Sequence, residues 1–186
     1  EQPVNIVAMQ IALHGPSVSK DTKSTYAADV FSYVLSQKNS AFQKNLVESG
    51  LCQQASLGYG TLDHTGPIGI YAFTTADKYQ EAKAAVFAEI AKFTDPDYIS
   101  ADQIEYAKTQ LEIEQLYAQE SPSAFVHMVG FWWAVTGSLD YYLTYVDKLK
   151  AINRKDIDEY VSKYIQEQPY VMGIMLSPEA RKQLSL

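Results

Sequence analysis

Two runs of alternating hydrophobic residues, separated by a polar link, constrain the fold of this sequence most. In the first run Ala55, Leu57 and Tyr59 alternate with polar or small residues, and the second run reads PIGIYAFTT. The link between them, TLDHTG, has the composition of a turn. Because alternation at period two places one side of a strand in a core, these runs predict an antiparallel β-hairpin.

A further strand is predicted near each end of the chain. VNIVAMQIAL alternates at period two and is followed by Gly15-Pro16, which stops a strand. Its predicted inward residues are Val7, Met9, Ile11 and Leu13. The last apolar run, PYVMGIML, also has the composition of a strand. Together with the hairpin, these runs predict four strands.

Helical periodicity fills the segments on both sides of the hairpin. A helix is predicted at about residues 22–36, and another in SAFQKNLVESGLC. In this second stretch Ser40 and Gln43 have capping-box spacing, and Gly50 is the predicted left-handed C-terminal stop. After the hairpin, a stripe from Tyr79 to Phe93 predicts one more helix.

The second half of the chain is predicted to be mostly helical. Ser100 and Gln103 form a capping-box pair that opens the long polar helix ISADQIEYAKTQLEIEQLYAQE, and Ser121-Pro122-Ser123 breaks it. The next segment, SAFVHMVGFWWAV, is apolar on nearly all sides and is therefore expected to be enclosed by other elements. LDYYLTYVDKLKAI predicts another helix, and Asn153 can cap the last one.

The order of elements is therefore β-α-α-β-β-α, then a cluster of helices, then a final strand. This order predicts an α+β fold, a mostly antiparallel four-stranded sheet with a layer of helices on one face. The sequence shows no internal repeat and no flexible linker, so residues 1–186 are expected to form a single domain.

The charge of the chain excludes some classes of partner. There are 22 acidic and 15 basic residues, and a net charge of −7 disfavours binding to nucleic acid or anionic lipid. The longest apolar stretch is shorter than the roughly 20 residues that span a membrane. The chain opens on Glu1 rather than methionine, so we expect it to be part of a longer protein.

The three histidines, His14, His64 and His127, do not form a metal-binding pattern. None has a second histidine or a carboxylate at the i+3 or i+4 spacing that places two ligands on one helical face. His14 is expected at an exposed strand end and His64 in an exposed link, whereas His127 is expected to be a core histidine. The sequence therefore predicts no metal site and no cofactor in this chain.

No other residue pattern indicates catalysis. The carboxylates Glu105, Glu112, Glu114 and Glu120 are expected on the solvated face of a long helix. Cys52, the only cysteine, has no local histidine to activate it and is expected to be a partly buried strand residue. No catalytic residue is assigned, and the substrate-binding residues stay undetermined.

Aromatic residues are frequent in the second half of the chain. They are expected to lie mostly in the core, although their polar tips also suit a groove or a domain–domain surface. The residues are Trp132, Trp133, Tyr141, Tyr142, Tyr145, Tyr160 and Tyr164.

Several segments, in the same order, resemble the zinc peptidases of the pitrilysin, insulinase and mitochondrial-processing-peptidase superfamily. SQKNSAFQKNLVESGLC is similar to the segment after their first helix, and PIGIYAFTTADKYQEAKAAVFAEIAKF to their following strand and helix. ISADQIEYAKTQLEIEQL resembles their long helix, and VDKLKAINRKDIDEYVSKYI followed by PYVMGIMLSPE resembles their closing helix and strand. The resemblance covers nearly the whole chain.

The resemblance implies a noncatalytic, C-terminal-type domain. Active members carry an inverted His-x-x-Glu-His zinc motif in another domain, and this sequence lacks it. The implied cofactor is zinc in the full-length protein or a partner subunit, and the implied partners are that catalytic domain and an unfolded peptide substrate. Bacterial relatives are often exported, which suggests the periplasm, although the residues themselves leave the compartment undetermined.

One feature departs from the family pattern. Active members have an arginine and a tyrosine near the hairpin of their last domain, contributing to the substrate site. Here Tyr59, Tyr71 and Tyr79 occupy that region, but the first arginine is Arg154, in the last helix. The chain is thus either the second domain of a catalytic half or a last domain that has lost the pair, and no family residue is transferred.

Three hypotheses follow. The first is a substrate-enclosing or scaffold domain of a zinc-dependent metalloendopeptidase that hydrolyses peptide bonds. The second is a catalytically inactive structural subunit of the same fold, as in respiratory-chain core subunits. The third is an unrelated α+β peptide-binding module that uses an exposed sheet edge for strand addition.

Overall fold

The computed structural model describes residues 6–185, so Glu1 and the first residues of the predicted N-terminal strand lie outside the described part. These residues form an α+β fold around one four-stranded sheet, and all of its strand pairings are antiparallel. The order across the sheet is β2-β3-β1-β4. The strands are β1 (Ile6–His14), β2 (Gln54–Tyr59), β3 (Pro67–Thr75) and β4 (Val171–Met175).

The helices follow the predicted order and add one at the C-terminal end. They are α1 (Thr22–Ser36), α2 (Ala41–Gln43, continued by a π-helical turn at Lys44–Glu48), α3 (Tyr79–Lys92, preceded by a 3₁₀ turn at Ala76–Lys78), α4 (Ala101–Glu120), α5 (Pro122–Thr136), α6 (Asp140–Ala151), α7 (Arg154–Tyr164) and α8 (Pro178–Leu184). No helix within residues 6–185 is long and apolar enough to cross a membrane.

The core lies between the sheet and the helical layer. Alternation along β1 places its inward residues against the helices, and α1 contributes the fully buried Phe31 at the centre. Phe31 contacts the rings of Phe93 and Tyr160 edge-on, at centroid distances of 5.1 and 6.1 Å. Burial of these large side chains against the sheet is the main stabilising contribution of the layer.

The predicted helix caps are largely present. Ser100 and Gln103 form a reciprocal capping box, and Asn153 caps α7 together with Asp156. At α2, Ser40 accepts a hydrogen bond from the backbone N–H of Gln43, but the Gln43 amide donates to the carbonyls of residues 35 and 55 instead of returning to Ser40. This capping box is therefore only half formed, because the glutamine ties α2 to its neighbours.

The glycine that ends the α2 segment and the hairpin behave as predicted. Gly50 has a positive φ of 77°, the left-handed conformation that favours glycine at a helix end. The two predicted hairpin strands pair antiparallel, with Leu57 opposite Ile70. The fold class, with four strands and helices on one face, is confirmed.

Two features of the fold differ from prediction. Helix α8 was not predicted, although Ser177 caps it and Pro178 occupies its first turn, which is a recognisable start signal. Helix α5 was expected to be enclosed, and that expectation is wrong for the described residues. Trp132 is buried, but Val126 and Trp133 on other sides of the helix are exposed.

Candidate functional site

One face of the sheet carries exposed and half-buried side chains, whereas the other packs on the helices. On β1, Gln10 is exposed while its neighbours Met9 and Ile11 are buried in the core. We call the first surface the open face and define it by residues of all four strands: Ala8, Gln10, Ala12, Gln54, Ser56, Gly58, Gly69, Tyr71, Phe73, Val171, Gly173 and Met175.

The register of the sheet brings two polar side chains together at the centre of the open face. Gln10 is opposite Tyr71 on one side and Gly173 on the other, and Ser56 is opposite Tyr71 on its far side. The Gln10 amide Nε2 donates a hydrogen bond of 3.1 Å to the Tyr71 hydroxyl. A row of hydrogen-bonding groups therefore crosses the sheet.

The side chains around this pair project little from the sheet because most of them are small. A Cβ at Gly69 would lie 2.6 Å from the Tyr71 ring, so the ring occupies the space above that glycine. Ala8, Ala12, Gly58 and Gly173 lie around the pair on β1, β2 and β4, and none of the residues that define the open face is charged. Such a surface lets another backbone approach closely and offers it donors and acceptors, and the exposed His14, on the same side of β1 as Gln10, lies at its margin.

Strand β4 forms one edge of the sheet and pairs only with β1 within the described residues. Val171 and Met175 are each 73% exposed. The strand contains no lysine, acidic residue or proline, which are the residues that commonly protect edge strands from further pairing. Its free edge therefore has the properties of a site for strand addition.

Of the three tyrosines near the hairpin, only Tyr71 lies on the open face. Tyr79 is buried, and the half-buried Tyr59 donates a hydrogen bond of 2.9 Å to the carbonyl of Pro16. Arg154 lies at the start of α7, where its guanidinium pairs with Asp158 and donates to backbone carbonyls between residues 93 and 99. The guanidinium of Arg154 thus has a structural set of partners.

The described residues do not fit a zinc ion. Among residues 6–185, no group of three or more histidine, cysteine or acidic side chains could hold a metal. His14 and His64 are exposed, as predicted. His127 was expected in the core, and that prediction is wrong because the residue lies on the exposed side of α5.

The carboxylates and the cysteine have ordinary structural surroundings. Glu105 pairs with Lys108 at 2.7 Å and Glu112 with Lys150 at 2.8 Å. The side chains of Glu105, Glu114 and Glu120 are exposed, as expected for a solvated helix face. Cys52 was expected to be a partly buried strand residue, but it lies almost fully buried just before β2. Burial raises the pKa of its thiol, which disfavours the reactive thiolate.

The tyrosines of α6 pack inward together with Trp132 of α5, whereas Trp133, expected mostly in the core, is exposed, as are Phe125 and Phe131. Tyr141 stacks between Tyr26 and Trp132, at centroid distances of 4.8 and 4.5 Å. Beside this stack, the Tyr145 hydroxyl donates a hydrogen bond of 2.8 Å to Asp29, and burial raises the pKa of Asp29 to about 7. This acid was missed from the sequence, because Asp29 lies outside the apolar stripe of the predicted helix and its contact with Tyr145 joins residues 116 positions apart.

Comparisons with known proteins identify the fold. A family profile described as the peptidase M16 inactive domain matches residues 1–111. The structure is similar to a protease from Helicobacter pylori, with a TM-score of 0.78 and 18% identity over 95% of this chain and 43% of that chain. It is also similar to the inactive peptidase domain of a proposed zinc protease from Bordetella parapertussis, with a TM-score of 0.78 and 13% identity over 92% and 90% of the two chains.

A third similar structure comes from complex III2 of Candida albicans, with a TM-score of 0.74 and 15% identity over 99% of this chain and 48% of that chain. This chain thus spans less than half the length of the Helicobacter and Candida chains, but most of the Bordetella domain. No curated protein sequence matches it.

The structural neighbours are all less than 25% identical and show the fold, whereas the profile match covers more than half of the chain and shows the family. The hypothesis of an unrelated α+β module is therefore wrong, and the resemblance to a noncatalytic domain of the zinc metallopeptidase superfamily is confirmed. The chain belongs to the peptidase M16 inactive-domain family.

Proposed function

We propose that this chain is a single noncatalytic domain whose open face borders the chamber in which a zinc-dependent metalloendopeptidase encloses an unfolded peptide. The observation that carries the proposal is the central Gln10–Tyr71 pair on a low, uncharged surface. Family membership supports it, because the family is that of the inactive domain of peptidases.

The chemistry of the open face suits a peptide of varied sequence. An extended chain presents an N–H and a carbonyl at every residue, and the Gln10 amide and the Tyr71 hydroxyl can pair with either group. The glycines and alanines around them leave room for the side chains of the peptide. Because none of the residues that define the open face is charged, it does not select strongly for substrate charge.

The free edge of β4 provides a second way to hold an extended chain. Strand addition uses main-chain hydrogen bonds, which are independent of the substrate's side chains. Bonds of this kind hold a peptide in an extended conformation, which is the form that an endopeptidase presents to its catalytic groups. In this proposal the chain binds and orients the peptide.

Catalysis is then assigned to another part of the protein. The described residues hold no set of metal ligands, so zinc and the groups that activate water belong to a domain or subunit carrying the inverted His-x-x-Glu-His motif. The matching Helicobacter protease is more than twice the length that this chain covers, which leaves space in such proteins for a catalytic domain.

The proposal is tested by replacing Tyr71 in the complete peptidase, that is, this chain joined to or assembled with its zinc-bearing part. Tyr71→Ala is expected to raise KM for an unfolded peptide about threefold to tenfold and to change kcat by less than about twofold, because the ring binds substrate away from the reacting bond. Tyr71→Phe, which removes only the hydroxyl, is expected to have a smaller effect of the same kind.

Tyr106→Ala is the matched control, because Tyr106 is an exposed tyrosine on α4 in the helical layer. It is expected to leave both kinetic constants unchanged. If Tyr71→Ala folds normally, as judged by its unfolding midpoint, and leaves KM unchanged, the open face does not contact substrate and the proposal fails.

A second candidate function is that of a structural subunit without peptidase activity. The similarity to a chain of complex III2 from Candida albicans, which covers 99% of this chain, favours it. The complete coding sequence and that of the adjacent gene separate the two candidates. An intact inverted zinc motif in either supports the peptidase, and its absence from both supports the structural role.

A further inference from the structure

Helix α5 has an outer side that is apolar and exposed. Val126, Gly130 and Trp133 share this side because they are spaced at i, i+4 and i+7, and we call them the α5 face. Val126 is 69% exposed and Trp133 is 61% exposed. Helix α5 contains no lysine, arginine or acidic residue along its whole length.

The opposite side of α5 already supplies this domain with its core contacts. Trp132 is buried there, and Met128 and Val135 pack against the same core. A helix that faces water on its other side normally carries charged residues on that side. Leu116 and Tyr117, in the last two turns of α4, are also exposed apolar residues of the same helical hairpin.

Gly130 provides an independent observation at the centre of this surface. Glycine in the middle of a helix is unfavourable relative to alanine. A Cβ at Gly130 would meet no heavy atom within 4 Å, so nothing among the described residues requires glycine there. A position without a side chain does allow the backbone of a second element to approach α5 closely.

Charge decides what kind of surface fits the α5 face. The exposed carboxylates Glu120 and Asp140 flank the two ends of α5 in the chain, and residues 101–151 as a whole have seven carboxylates and three lysines. Two copies meeting through this face would bring two net acidic segments together, and an anionic membrane would be repelled in the same way. An apolar protein surface surrounded by lysine or arginine is complementary to it.

We propose that the α5 face is the docking surface for the zinc-bearing domain or subunit, through an apolar patch with a basic rim. This inference rests on the proposed function, which requires such a partner. The similar Helicobacter protease has more than half of its length outside the region matched by this chain, so that protein contains a further part of sufficient size to cover such a face.

The test measures how fast a thiol on this face reacts. Cys52 is buried and provides an unreactive background, so Val126→Cys introduces one accessible thiol. Its reaction with a water-soluble maleimide is compared in the 186-residue chain and in the complete protein purified with its subunits. We expect labelling to be at least about tenfold slower in the complete protein, because a docked surface is shielded from solvent.

Lys155→Cys is the control, because Lys155 is an exposed residue of α7 outside the α5 face. It is expected to react equally fast in both samples. A cross-linker attached to the thiol of the Val126→Cys variant should join this chain to peptides of the polypeptide that carries the inverted zinc motif. Equal labelling of Val126→Cys in both samples, or cross-links only to a second copy, would overturn the docking proposal.

A substitution at Gly130 gives a second test that leaves the domain intact. Gly130→Leu places a side chain in space that is empty in this chain, so the isolated domain should unfold at or above the wild-type midpoint. In the complete protein the same change should weaken association with the zinc-bearing part by at least about tenfold. Normal association of Gly130→Leu contradicts the proposal.

Vesicles of phosphatidylglycerol test the alternative of a membrane. The tryptophan emission of the 186-residue chain, to which the exposed Trp133 and the buried Trp132 both contribute, should be unchanged by them, and a blue shift would overturn the proposal in favour of lipid. The labelling result is also separate from peptidase activity. Protection of the Val126→Cys thiol without hydrolysis would refute only the proposed function, whereas hydrolysis by a variant whose introduced thiol stays fully reactive would refute only the docking surface.

Discussion

The hydroxyl of Tyr145 on α6 donates a 2.8 Å hydrogen bond to the carboxylate of Asp29 on α1. The acid is half-buried between α1 and α6, and burial raises its pKa to about 7, while the bond from Tyr145 favours the ionised form and opposes part of that increase. The pKa of Tyr145 is itself raised far above its usual range, mainly by burial. The pair therefore changes charge through Asp29 alone near neutral pH.

We predict that this acid makes the domain less stable as pH rises. An unfolded aspartate has a pKa of about 3.9, so between pH 4 and pH 7 the folded chain holds a proton that the unfolded chain has lost. The contribution of Asp29 to the free energy of unfolding should fall by about 3 kcal/mol between pH 5 and pH 8. Asp29→Asn, which cannot ionise, should remove this slope.

Urea unfolding of wild type and Asp29→Asn at pH 5 and pH 8 checks this prediction. Asp21 and Asp156 have lowered pKa values and lose their stabilising contribution only as pH falls below about 4, so they do not obscure the interval. Parallel pH profiles for the two proteins would show that Asp29 is solvated in the native state.

Arg154 is predicted to be important for stability. Its guanidinium donates to the carbonyls of Asp95 at 2.8 Å and Ile99 at 3.0 Å and pairs with Asp158 at 2.7 Å. Arg154→Ala should lower the free energy of unfolding by about 2–3 kcal/mol, because several carbonyls lose a charged donor. Arg154→Lys should recover only part of this loss, since a lysine cannot span the same acceptors.

Chemical denaturation gives both values, with Lys155→Ala as the neighbouring control. Lys155 is exposed and its pair with Glu159 is 3.7 Å long, so its removal should change stability by less than about 0.5 kcal/mol. A loss at Arg154→Ala no larger than that of the control would mean that the loop at residues 93–99 is held by its other contacts.

Gly130→Ala is predicted to stabilise the isolated domain. The added methyl meets no neighbouring atom, and alanine is favoured over glycine inside a helix by about 0.5–1 kcal/mol. Thermal unfolding of the 186-residue chain measures the gain. A decrease in stability would show that α5 needs glycine for its own conformation, which would remove one argument for close approach by a partner.

The sheet and the helix starts were predictable from sequence because their signals are local. Alternation along β1 and β3 reports which side of a strand is buried, and the Ser100 and Asn153 caps follow from spacing alone. The open face was not predicted, since the Gln10–Tyr71 pair depends on strand register and joins residues 61 positions apart. Helix α8 was missed even though Ser177-Pro178 marks its start.

The wrong predictions for α5 and His127 have one physical cause. An all-apolar helix predicts enclosure, but the sequence does not say which chain encloses it. His127 follows Val126 on the exposed side of α5, so the expectation of a core histidine failed together with the expectation of a covered helix. The failure is informative, because it identifies the surface that we propose for docking.

Zinc content and peptide hydrolysis, measured on the 186-residue chain and on the complete protein with its zinc-bearing part, test the central claim most directly. We expect the isolated chain to bind no stoichiometric zinc and to leave an unfolded peptide uncleaved, because its described residues contain no set of metal ligands. The complete protein should hydrolyse the peptide and lose this activity with a chelator. Zinc-dependent hydrolysis by the isolated chain would contradict the account.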